Sequence, residues 1–92
     1  MIVRISGEDQ YELADGDSAK LHELDKAVVA IVESGREDGF ADAYGSLLEF
    51  VRSHGKRIAD DDLRGSDCIL PPADIDFSEA GAEFTGEGLI PD

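Results

Sequence analysis

Two apolar stripes with helical spacing, parted by a glycine, constrain this chain more than any other feature. Leu21, Leu24, Val28 and Ile31 recur at intervals of three, four and three, which is one face of an α-helix. Phe40, Tyr44, Leu47 and Val51 repeat at four, three and four, and Leu48 and Phe50 widen that face. Asp15, Asp17 and Ser18 offer N-cap oxygens to the first helix, and the second opens near Asp38. Gly35 is a stop for the first. Gly55 closes the second, with Arg52, His54 and Lys56 near its negative dipole end. A linker of about three to five residues folds such a pair into an antiparallel hairpin. Gly39 and Gly45 sit inside the second pattern, and each costs about 1 kcal/mol relative to Ala. Gly45 reads either as a point where another backbone comes close or as a tolerated weak spot.

The helical hairpin occupies 15–55 and leaves a piece on either side. In 1–13, Met1, Val3 and Ile5 share one strand face and Ile2 and Arg4 the other. Ser6-Gly7-Glu8-Asp9 is a turn cluster, and Tyr11 and Leu13 alternate with polar residues beyond it. That is a β-hairpin pattern. The piece 58–92 differs in kind, with ten acids against one base, Arg64, and all three prolines of the chain. Asp60-Asp61-Asp62 suits a helix cap or a solvated charge run. Cys68-Ile69-Leu70 suits a short strand added to the hairpin edge, and Pro71-Pro72 forces an extended path after it. Phe77, Ala80 and Phe84 have the spacing of a short helix over 78–84. The apolar residues spread through this tail predict that it wraps across the helices. The expected fold is therefore one small α+β domain over 1–92, with a core of both helical faces, Val3 and Ile5.

The charge narrows the function. Asp plus Glu number 22 against 8 Lys plus Arg, for a net charge of −14. Nucleic-acid binding needs clustered bases to displace counterions, so it is not expected. An anionic membrane would repel the surface. The longest apolar run, 27–32, is six residues, against the roughly 20 of a spanning helix, so no direct membrane insertion is expected. A single cysteine excludes an internal disulfide and fits a reducing compartment. No signal peptide pattern opens the chain, and a soluble, cytoplasmic protein is expected.

Catalytic and metal templates find no support. Cys68 lies in an apolar run, where a small buried hydrophobe is the ordinary reading. His22 has no second histidine at zinc-protease spacing, and His22 and His54 suit surface or capping positions. A calcium loop starting at Asp15 would place Lys20 and Lys26 where it needs Gly and Glu. Gly86-Glu87-Gly88 lacks the strand and helix that flank a nucleotide loop. No cofactor, metal or catalytic residue is assigned. A strong negative field favours a basic protein partner through steering, or else serves solubility or adaptation to salt.

Four stretches carry a family resemblance. They are 1–11, Leu21-His22-Glu23-Leu24-Asp25, the block Asp62-Leu63 with Ser66-Asp67-Cys68-Ile69-Leu70-Pro71-Pro72-Ala73-Asp74, and the end Gly88-Leu89-Ile90-Pro91-Asp92. Together the chain resembles the PspA-associated family, PspAA, found beside phage-shock protein A. It departs from the family pattern at Asp9, often glycine, and at Cys68, usually aliphatic. The resemblance implies a non-enzymatic accessory protein in an envelope stress response. Its implied partner is PspA, a coiled-coil protein that assembles on stressed membranes, and through it the chain would be peripheral to the membrane. The interaction residues it suggests are Ser66, Asp67, Asp74, Leu89, Ile90 and Asp92. The same residues could instead only fold the tail onto the helices. Two further readings stay open: an acidic regulator occupying a nucleic-acid-binding surface of another protein, and a small carboxylate- or metal-dependent enzyme. So small a domain is also compatible with a homodimer.

Overall fold

β-Branched residues open the chain, and they form the centre of the sheet. The computed structural model describes residues 1–58, 65, 67–84 and 88. Strand β1 (Ile2–Ile5) pairs antiparallel with β2 (Gln10–Glu12), with Val3 opposite Tyr11. Helices α1 (Ser18–Ser34) and α2 (Phe40–His54) follow. Strands β3 (Lys56–Ile58) and β4 (Cys68–Leu70) and the short helix α3 (Phe77–Glu83) complete the order. The four strands form one mixed sheet in the order β3-β2-β1-β4. The expected hairpin, helical pair, tail strand and tail helix are all present, in an α+β arrangement.

Alternation decides what each strand contributes. Val3 and Ile5 are fully buried, and their β4 neighbours Cys68 and Leu70 are buried beside them. These four meet Leu21 and Val28 from α1 and Leu47 and Val51 from α2 in one core. Ile69 points to the opposite face and is 61% exposed. Ile2, Gln10 and Ile58 share that second face by register and are nonetheless buried.

The structure corrects four details. Strand β3 falls where the sequence suggested only the end of the helical hairpin and the start of the tail. Its three residues Lys56-Arg57-Ile58 carry no periodicity, and their pairing with β2 is what makes them a strand. The buried line of α1 runs through Leu21, Asp25, Val28 and Val29, while Leu24 and Ile31 are half-buried. Gly39 is not inside α2 but at its N-cap, with φ +82, so it carries no interior helix cost. No side chain caps α1; Ser18 Oγ instead donates to the Asp15 carbonyl at 2.8 Å, closing a single 3-10 turn, Asp15–Asp17. The charge run Asp60-Asp61-Asp62 lies outside the described residues.

An aromatic line joins the tail to the helices. Phe77 meets Phe40 edge-on at 5.7 Å between ring centroids, Phe40 stacks on Tyr44 at 5.8 Å, and Tyr44 meets Phe84 edge-on at 5.4 Å. The Tyr44 hydroxyl donates to the Pro71 carbonyl, so the buried ring also satisfies its polar atom. On the outside, Arg52 at the end of α2 grips Glu8 of the β-hairpin turn, with Nε–Oε1 at 3.1 Å and Nη2–Oε2 at 2.6 Å. This two-point pairing ties the hairpin turn to the helix.

Candidate protein-binding groove

The tail motif suggested by the resemblance divides into a structural half and an exposed half. Asp67 belongs to the first. Its Oδ2 accepts from the Ile2 N–H at 2.7 Å, and its own N–H donates to the Ile2 carbonyl at 2.7 Å. These two bonds lock the start of β4 to β1 through Oδ2 and the backbone of Asp67, which is otherwise exposed. Leu70 and Pro71 are buried, and Pro71 accepts from Tyr44. The chain then turns outward. Ile75 N–H closes a turn onto the Pro72 carbonyl at 3.0 Å, which leaves Ala73 and Asp74 exposed at its tip. Asp76 Oδ1 caps α3 by accepting from Glu79 N–H at 2.8 Å. Ser66, Leu89, Ile90 and Asp92 lie outside the described residues. Of the six suggested interaction residues, Asp67 and Asp74 are both exposed, Asp67 hydrogen-bonded to Ile2 at the start of β4 and Asp74 at the tip of the turn.

That exposed turn forms one wall of a groove of about 340 Å³, and α2 forms the other. Phe40 and Leu48 make the floor, and half-buried Phe77 stands in the wall. Ala41 and Gly45 keep the α2 side low. Glu37, Asp42 and Asp76 line it with negative charge. Arg52 lies at the far end, engaged by Glu8. The sequence picked out Gly45 but not Glu37, Asp42 or Phe77 as neighbours. Gly45 was the one hint of it in the sequence; Ala41, one turn earlier, was not singled out, and the other wall comes from residues about thirty positions later.

The described side chains offer other chemistry little support. No group of three or more His, Cys, Asp or Glu among the described residues is placed to hold a metal ion. His54 stacks on Phe50 with centroids 4.3 Å apart and lies 3.8 Å from Asp17 through Nδ1. The Glu79 carboxyl is pushed up by the Asp76 charge beside it, but both belong to one solvent-exposed helix cap. Cys68 is buried, and its thiol is pushed up from 9.0 to about 12, first by burial and then by the charges of Asp25 and Asp67. A thiol of this kind is a poor nucleophile.

The raised thiol value makes stability depend on alkaline pH. The folded state holds the proton more tightly than the unfolded state, so this contribution is complete below about pH 9 and is lost as pH climbs toward 12. The urea midpoint should therefore fall between about pH 9 and 11, and Cys68→Ala should flatten part of that fall. At neutral pH, iodoacetamide should label Cys68 slowly in the native chain and readily in urea. Equal pH slopes for the two chains, or fast native labelling, would contradict the buried thiol.

No curated protein and no solved structure gives a significant match to this chain. A family model does. The model for PspA-associated protein, PspAA, matches residues 1–92, the full sequence given. The described parts of the four stretches fall on β1 with its turn and the start of β2, on α1, on β4 with the turn that walls the groove, and on Gly88 against Asp25. The chain therefore belongs to the PspA-associated protein family, PspAA.

Proposed function

We propose that this chain is a non-enzymatic adaptor that binds PspA and adjusts its assembly on stressed membranes. Family membership over residues 1–92 is the observation that carries this reading, since the family is named for association with PspA. The charge agrees with it: at −14 the chain is suited to a partner with basic surface, drawn in by long-range steering. No helix among the described residues is long and apolar enough to cross a membrane. On this reading the chain reaches the membrane edge through PspA rather than by inserting itself.

The test is direct association. The full chain, titrated into PspA from the same system, should bind at low ionic strength and more weakly as salt is raised, because screening shortens the reach of surface charge. Absence of association at low salt would remove the proposal.

A further inference from the structure

We infer that the groove between α2 and the 73–77 turn is the docking site for a basic, amphipathic helix of the partner. This deepens the adaptor reading and rests on it. Gly45 is where the inference starts. It lies in the middle of α2, is exposed, and has no positive φ that would require glycine. A Cβ built there would meet nothing within 4 Å. Glycine weakens a helix interior relative to alanine, and nothing among the described residues uses the space it leaves. The space opens into the groove, with Ala41 one turn earlier on the same side. Short side chains at a contact let two helices come closer together.

The walls specify what would fill it. Half-buried Ile75 and Phe77 offer apolar and aromatic surface above a floor of buried Phe40 and Leu48. Glu37, Asp42 and Asp76 surround that surface with like charge, and Asp74 stands exposed on the adjoining turn. The one base in the lining, Arg52, is already held by Glu8 through two bonds. Negative charge along low-dielectric walls concentrates the field inside a cleft. A segment with an apolar stripe flanked by Lys or Arg satisfies both features. From Ala41 to Arg52 the α2 wall is about 16 Å long, or three helical turns. A second copy of this chain would bring another −14 and is disfavoured on that ground.

The experiment is an affinity and NMR comparison on the full chain. PspA from the same system is one ligand; a synthetic Leu/Lys amphipathic helix and its Leu/Glu counterpart are the others. Gly45→Leu fills the groove where no described residue stands, so the fold should keep or gain thermal stability. It should weaken PspA binding at least tenfold, and Asp42→Lys should do the same. Glu33→Lys, the same charge change on the exposed side of α1, should weaken it by less than threefold. The Leu/Lys helix should shift amide signals of Ala41, Gly45 and Phe77, and the Leu/Glu helix should not. If PspA binds both groove variants as tightly as the parent chain, the groove assignment is overturned and the adaptor reading survives. If PspA does not bind but the Leu/Lys helix shifts those signals, the groove assignment stands and the adaptor reading falls. If neither ligand perturbs the groove, both fall. If the parent chain doubles its mass in solution and Gly45→Leu abolishes that, a second copy is the occupant and the inference is overturned.

Discussion

Phe84→Ala should cost about 3–5 kcal/mol and lower Tm by more than about 15 °C. Phe84 ends α3, is fully buried, and its N–H bonds to the Ala80 carbonyl at 2.8 Å. Its ring sits edge-on to Tyr44 in the core. Removing it leaves a cavity between the tail helix and α2, because a packed core relaxes only partly around a lost ring. For a chain this short, with total stability of about 5–15 kcal/mol, that is a large share. Phe77→Ala is the control. Phe77 is half-buried at the other end of the aromatic line, so its loss should be clearly smaller. A Phe84→Ala chain melting within a few degrees of the parent would mean that α3 contributes little to the core. Because α3 follows directly from the groove wall, the same variant should also weaken partner binding.

Gly88→Ala should cost about 2–4 kcal/mol, through two effects that act together. Gly88 has φ +87, which an L-residue with a Cβ resists. It also packs on the carboxylate of Asp25, where a Cβ would lie 2.7 Å from Cγ and 2.8 Å from Oδ1. Asp25 is fully buried on α1 and cannot swing aside into solvent. The carboxylate has a partner in the fold, so displacing it also exposes a buried charge to a worse setting. Asp25→Ala alone should also be destabilising, because it leaves the carboxylate's partner unsatisfied. The double variant should then cost less than the two single costs combined, since the collision exists only when both groups are present. Strict additivity in urea titrations would show that the two sites do not touch.

Much of the architecture was legible in the residues, and the exceptions are instructive. The faces of α1 and α2 follow from the 3.6-residue period. Phe40, Tyr44, Leu47 and Val51 are all buried as that period requires. Cys68-Ile69-Leu70 reads as a strand by its composition, and it adds to the edge of the hairpin. That it does so parallel to β1 was not legible. Parallel pairing needs a long connection that carries the chain back to the same end of the sheet, and here both helices intervene. Strand β3 was missed because Lys56 and Arg57 look like a helix end and become strand residues only opposite Glu12 and Tyr11. Asp25 was missed as a buried residue for a related reason. A carboxylate on α1 looks solvent-facing until a segment more than sixty residues later is laid against it.

The candidate site divides along the same line. Charge, Gly45 in the middle of a helical pattern and the Pro71-Pro72 break are properties of local sequence and can be read from it. Whether Asp67 faces a partner or the sheet is not, because its role depends on Ile2 lying 2.7 Å away. Local spacing and composition thus mark the three α-helices, the β-hairpin and β4, which faces are apolar and how acidic the chain is, but not β3. Each of these depends on neighbours within a few residues or on simple counts. Which carboxylates bond into the fold and which line a groove emerges on folding. Both outcomes come from contacts between residues tens of positions apart, and local spacing does not encode them.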